Sequence, residues 1–390
     1  MGNIVEPTQA YLNSLVAPYL KAQPSGLGFA IGYASPSFQG VYTSPNPVHN
    51  QFGAPLTLSA TTPFEIASIS KTFTATLYAL LIRASDPTRT IGDYIAPNGP
   101  LRISASLGDI TLDQLMNYTS GLPADNVDGS VDSPPYWPQP YSMPAMLSFL
   151  GAAPPTLSPP GQQYQYSNLG FALMSAIIAC AGTNANPRIG GFETLMAHNI
   201  FGPLGLSASF FDEASLAGLP LGFNYNTTLS PTYQAVAPGW PFFPAYFGAG
   251  GIVATPNDML TWLLFNMGVL QNDILTPLLP VLQKPLPGVT WEGNRLGLGW
   301  FISPQQVWKD GDLDGFSSYI AFVPSADPGA VASQAGAFVL VNGDGVTDSQ
   351  GLDVAASLTN SLLNFMVPAE RDQSAYPSSI VNRSRRRARP

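Results

Sequence analysis

Strand-like runs lie at the two ends of this chain and helical runs fill its middle, an order that permits few folds. "GLGFAIGYA" (26–34) and "QGVYTS" (39–44) are short, apolar and Gly-punctuated, as in a hairpin. Three more such runs, "LGLGWFIS" (296–303), "FSSYIAFVP" (316–324) and "GAFVLVNGDG" (336–345), come near the other end, separated by turns. Between them, helical patterns occupy 68–84, 110–123, 167–182, 191–205 and 250–268, and further helices are predicted at 8–23 and 349–367. Strands so far apart in sequence can share one core only if both chain ends join a single sheet. The prediction is an α+β fold: an antiparallel β-sheet flanked by helices, with a mostly α-helical lobe inserted between its halves. The sheet lobe is placed at 1–75 and 245–370, the helical lobe at 76–244, and a basic tail, taken as disordered, at 371–390.

"GFALMSAIIACAG" (170–182) is thirteen small and apolar residues, too short to span a bilayer, and it reads as a buried core helix. It contains the single cysteine, Cys180, so an internal disulfide is ruled out and Cys180 is expected to be core packing. Net charge is −9, and five of the positive charges are arginines crowded into "NRSRRRARP" (382–390). The rest of the chain is therefore more acidic still, which argues against nucleic acid as a partner. The expected partner is a small-molecule or short peptide substrate, with no transmembrane segment. The start, "MGNIVEPTQA", shows no signal-like region. The chain would be cytoplasmic, or periplasmic or secreted if a signal has been removed.

Charged residues make up 10% of the chain against a usual value of roughly 25%, and lysine has almost vanished: Lys21, Lys71, Lys284 and Lys309 are all there are. One of the four follows a serine by three positions in "FEIASISKTFTATLYALL" (64–81). On a helix that spacing places Ser68 and Lys71 on one face. The flanking Ile66, Ala67, Phe73 and Leu77 would bury the turn. A lysine held away from water beside a helix N-terminus favours its neutral form and can take a serine proton. The plainer alternative is a capping serine beside a surface lysine. "YSN" (166–168), ahead of the core helix, offers a phenol for proton relay and an amide for a carbonyl; here the alternative is a core aromatic, Tyr166, and a capping Ser167. "VWKDGD" (307–312) adds Lys309 near a strand edge, which in isolation could equally be a turn.

Taken together, in this order, S-x-x-K (Ser68–Lys71), Y-x-N (Tyr166–Asn168) and K-x-G (Lys309–Gly311) resemble the serine β-lactamase and penicillin-binding protein superfamily. The tyrosine that opens the second box resembles the class C β-lactamase branch, with its D-alanyl-D-alanine carboxypeptidase, AmpH-like and esterase relatives. "TSGLP" (119–123), "NIFGPLGL" (199–206), "GGIVATPNDM" (250–259) and "LGLGW" (296–300) are weaker echoes of it. The resemblance implies Ser68 as nucleophile, Lys71 and Tyr166 as the base pair, Asn168 as a substrate-positioning amide and Lys309 as a cation for a substrate carboxylate. It implies an oxyanion hole from the backbone N–H groups of Ser68 and Asp312, beside Gly311. It implies no metal and no organic cofactor.

One departure stands out. The third box reads K-D-G, where the resemblance predicts K-T-G or K-S-G, so Asp310 replaces a hydroxyl with a negative charge and implies weaker β-lactam turnover. The retained Lys309 leans the other way, towards carboxylate-bearing substrates. The expectation is a serine hydrolase forming an acyl-enzyme, acting first on D-alanyl peptides or β-lactams. The alternatives are a small-ester carboxylesterase of the same fold and a non-catalytic peptidoglycan- or peptide-binding relative. A Ser-His-Asp esterase fits poorly, because "GLSAS" (205–209) lacks the last glycine of the nucleophile elbow. Two histidines and one cysteine supply no metal constellation, and "GLGFAIG" is not a dinucleotide fingerprint.

Overall fold

The strand-like runs at both ends do meet in one sheet. The computed structural model describes residues 4–22, 26–94, 107–125, 141–152, 158–181, 191–225, 233–236, 244–325 and 333–368. The main-sheet strands are β1 (Phe29–Ala34), β2 (Gln39–Thr43), β3 (Thr290–Trp291), β4 (Asn294–Leu296), β5 (Phe301–Ile302), β6 (Val307–Leu313), β7 (Phe316–Val323) and β8 (Ala335–Val341). They lie in the order β3-β4-β5-β6-β7-β8-β1-β2, antiparallel throughout. The last strand thus pairs with the first, Phe29 opposite Val341, and this joins the two ends of the chain.

The principal helices are α1 (Gln9–Ala22), α2 (Ser70–Tyr78), α3 (Asn168–Ala181), α4 (Pro256–Asn266) and α5 (Val354–Met366). Every residue of β7 and β8 is buried, so both sheet faces are covered, and the two strands are apolar apart from Ser317 and Ser318. On one face, a side chain added at Gly336 would strike Leu263 and Met267, at the end of α4. On the other, Ser317 donates to the carboxylate of Asp353, the N-cap of α5. Tyr11 of α1 stacks on Phe365 of α5 at 4.0 Å. On the α4 side, Trp262 stacks on Phe73 of α2 at 3.7 Å and so ties α2 to that layer. No helix among the described residues is long and apolar enough to cross a membrane.

Two readings change in detail. The helix expected over 68–84 is three pieces: a 3₁₀ turn at Ala67–Ile69, α2, and a π-helical turn at Ala79–Arg83. The chain arrives from a short strand, Phe64–Glu65, and turns sharply at Ala67, whose φ of 50° lies in the left-handed region. A non-glycine residue there costs roughly 1–2 kcal/mol, so the surrounding packing must hold it. Cys180 lies at the far end of α3 and is half-buried rather than fully packed; burial still pushes its thiol up to about 11. The basic tail at 371–390 lies outside the described residues, as does much of the Pro-rich stretch within 124–162.

Candidate active site

The strained turn at Ala67 presents Ser68 between β6 and the residues that lead into α3. Ala67 and Ile69 are buried, while Ser68 between them is partly exposed. Neither Ile66 nor Ile69, the N-caps of the turn and of α2, makes a side-chain capping bond, and Ser68 caps neither element. Its Oγ instead meets two groups: the Lys71 Nζ donates to it at 2.8 Å, and the Tyr166 hydroxyl donates to it at 2.7 Å. The i, i+3 spacing read from the sequence has its expected effect.

Lys71 is 0% exposed, and Ile66, Ala67, Phe73 and Leu77 around it are buried as anticipated. Its Nζ also donates to Asn168 Oδ1 at 2.7 Å and to the Ala249 carbonyl at 2.5 Å. An ammonium has three N–H donors, and here three oxygens receive them. Asn168 in turn donates from Nδ2 to Asp125 at 2.9 Å, which fixes the amide so that its oxygen faces Lys71. Its observed partners are thus the lysine and Asp125. Ser167 is a cap: its Oγ accepts from Gly170 N at 2.9 Å and donates to the Pro123 carbonyl at 2.7 Å. It thereby sets the start of α3 so that Tyr166 reaches Ser68 and Asn168 reaches Lys71.

Tyr166 sits between two cations, with Lys71 Nζ 5.0 Å and Lys309 Nζ 5.4 Å from its ring centroid. Its ring stacks on Tyr118 at 5.4 Å, and Tyr118 stacks on Phe301 at 5.2 Å. Tyr118 is held at a φ of 62° and donates to the Gly299 carbonyl at 2.9 Å. The position of the phenol is therefore set by a column of rings as well as by Ser68.

Lys309 lies within β6, opposite Ile320, rather than in a turn. It is 0% exposed, and its Nζ donates to the carbonyl oxygen of Asp310 and to its Oδ1, both at 2.7 Å. The Asp310 charge anticipated near the site is thus directly on the lysine. Further along β6, a Cβ at Gly311 would fall 3.0 Å from Ser68 N and 2.6 Å from the Ile66 carbonyl. Only glycine allows this approach. The Gln306 carbonyl accepts from Ser303 N, and the Asp310 carbonyl accepts from Lys309. By the alternation of an antiparallel strand, even-numbered residues of β6 turn their backbone groups to the edge away from β7. The Asp312 N–H belongs to that series, and β5 already ends opposite Val307 and Trp308. The Asp312 N–H thus faces that edge of β6, one residue beyond the close approach of Gly311 to Ser68 N.

All seven residues singled out in the sequence, Ser68, Lys71, Tyr166, Asn168, Lys309, Gly311 and Asp312, fall in this one site. Four supports were not foreseen: Tyr118, Asp125, the Ala249 carbonyl, and Ser318. The Ser318 Oγ reaches the carbonyls of Ile66 (2.9 Å) and Gly311 (3.2 Å) and pins the strained turn to the sheet. Beneath the site, Glu65 is buried, its Oε1 has no hydrogen-bond partner, and burial together with nearby Asp314 pushes its carboxyl up to about 8. Asp353 is likewise raised, by burial and then by Asp312.

Comparison with known proteins agrees with this geometry. A family model described as beta-lactamase matches residues 40–360. The chain is 26% identical over 293 residues to the D-alanyl-D-alanine-carboxypeptidase/endopeptidase AmpH of Escherichia coli K12, covering 68% of this chain and 69% of that one. It is 28% identical over 306 residues to a beta-lactamase of Pseudomonas fluorescens, covering 76% of each. Among solved structures, the fold is similar to a beta-lactamase/D-alanine carboxypeptidase from Pseudomonas syringae, with TM-score 0.67, 21% identity, and coverage of 93% of this chain and 99% of that one.

Proposed function

The chain belongs to the beta-lactamase family, a family of serine hydrolases, and on that premise we propose that it hydrolyses amide or ester bonds through an acyl-enzyme on Ser68. D-alanyl peptides and β-lactams are the first substrate class in this reading, and small esters the second. The observation that carries the proposal is the contact of one partly exposed hydroxyl, Ser68 Oγ, with both Lys71 Nζ and Tyr166 Oη. The AmpH carboxypeptidase/endopeptidase and beta-lactamase relatives support the amide class.

In this mechanism Tyr166 reacts as the phenolate: Ser68 Oγ attacks the substrate carbonyl carbon and gives its proton to the Tyr166 oxygen, while Lys71 stays an ammonium beside both. Two flanking ammonium groups favour negative charge on the phenol oxygen, so Tyr166 can accept a proton and return it. The carbonyl oxygen, now negative, lies against the N–H groups of Ser68 and Asp312. The C–N or C–O bond breaks, and the leaving amine or alkoxide takes the proton back from Tyr166. Water then attacks the acyl-Ser68 carbonyl by the same route, giving its proton to Tyr166. The serine oxygen leaves and is reprotonated, so the enzyme returns unchanged. Asn168 keeps Lys71 aimed at Ser68.

Turnover of a D-alanyl-D-alanine peptide, of a penicillin and of p-nitrophenyl butyrate by the purified protein and by Ser68→Ala tests the reading. Hydrolysis of at least one substrate that disappears in the variant supports it; hydrolysis that persists in the variant overturns it.

A further inference from the structure

The acyl-serine reading leaves open which substrates the site accepts, and the Lys309–Asp310 pair bears on this directly. Lys309 is buried beside Tyr166 and Phe301, 5.4 and 5.5 Å from their ring centroids. A buried ammonium requires a counter-charge, and Asp310 supplies it from the adjacent residue at 2.7 Å. The other site cation, Lys71, is committed to Ser68, Asn168 and Ala249. Asp125 adds a further carboxylate near the site, bonded to Asn168.

We infer that Asp310 is a specificity residue: it occupies Lys309 as an internal carboxylate and selects substrates that are uncharged at the end facing that lysine. Such substrates are peptides that continue past the scissile bond, C-terminal amides and neutral esters. This inference rests on the acyl-serine reading and narrows it. A substrate carboxylate has two ways to reach Lys309, and both are costly. It can displace Asp310, but that carboxylate is tethered one residue away, at a high effective concentration, and would be left buried without its counterion. Otherwise it can bind beside Asp310, where two like charges share a poorly solvated site. An uncharged end avoids both penalties and leaves the Lys309–Asp310 pair intact. The side chains of adjacent strand residues point to opposite faces, so this contact requires the lysine to curl round the sheet edge. In doing so Nζ caps the Asp310 carbonyl at the same edge as Asp312.

Two matched pairs test this: an N-acyl-D-alanyl-D-alanine acid against its C-terminal carboxamide, read as kcat/KM, and benzylpenicillin against its methyl ester, read by mass spectrometry as the rate of Ser68 acylation. Each is measured with the wild type and with Asp310→Asn and Asp310→Thr, after a fluorophosphonate has counted competent Ser68. The quantity read is the ratio of uncharged to charged partner, which a general loss of stability or activity leaves in place. The wild type should favour the uncharged partner at least tenfold. Both variants should shift the ratio towards the carboxylate roughly ten- to a hundred-fold, the scale of one charge-assisted contact. A wild type that favours the acid, or a ratio that Asp310→Asn leaves unmoved, overturns the inference while Ser68 still labels. A wild type in which Ser68 fails to label and no partner of either pair reacts strikes the acyl-serine reading instead.

Discussion

Gly311 lies so close to Ser68 that a single added carbon would stand 3.0 Å from the Ser68 nitrogen, 2.6 Å from the Ile66 carbonyl and 2.4 Å from Ser318 Oγ. Two of these neighbours belong to the strained turn itself, which cannot yield without moving the nucleophile. Gly311→Ala should therefore displace Ser68 N–H from Asp312 N–H and cost about 10²–10³ in kcat, the scale of losing one oxyanion donor. Overpacking should lower stability by about 1–3 kcal/mol. Steady-state kinetics beside a melting curve measures both. Full activity in a folded variant would mean that the carbonyl oxygen binds elsewhere.

Lys71 and Tyr166 touch the same Ser68 oxygen, so their effects should not add. Lys71→Ala and Tyr166→Phe should each reduce turnover by about 10²–10⁴. The double variant should be little worse than the poorer single one, because removing either disables the proton path. A double-mutant cycle in kcat/KM reads this. Strict additivity would separate their roles, and near-normal turnover in Tyr166→Phe would reduce Tyr166 to a packing residue.

Glu65 sets a pH dependence on stability. Its carboxyl titrates near 8 in the folded chain, above its ordinary value of 4.5. Between those values the folded state holds a proton that the unfolded state has lost. Stability then falls as pH rises, by up to about 1.4 kcal/mol per pH unit from this group, and the fall ends above the folded value. Glu65→Gln keeps the shape and cannot ionise, so it should flatten this slope and raise the melting temperature relative to wild type most at pH 8. Parallel melting curves for the two proteins from pH 5 to 8 would contradict this.

Several parts of the molecule were legible in the sequence because their causes are local. Mostly apolar runs announce β7, β8 and α3, all buried on every side or nearly so. The Ser68–Lys71 contact follows from helical spacing within a buried turn. The Tyr166–Ser68 contact spans 98 positions, and no local rule links the two; the order of the three boxes did. The Ala249 carbonyl was illegible because a backbone oxygen carries no residue identity, and Ser318 because its role depends on a positive φ at Ala67. Lys309 and Asp310 were both singled out, but their pairing was not. Alternation along a strand separates neighbours, and only a long side chain at a sheet edge can reverse that.

The central claim is that Ser68 carries the acyl group, and intact-protein mass spectrometry tests it most directly. The protein is exposed to a fluorescent penicillin and, separately, to a fluorophosphonate, and the adduct is then located by peptide mapping. The account predicts one adduct per chain, on Ser68, with at least the fluorophosphonate, and none in a folded Ser68→Ala variant. An adduct on Ser70, Ser167 or Ser317, or labelling that survives Ser68→Ala, would contradict it.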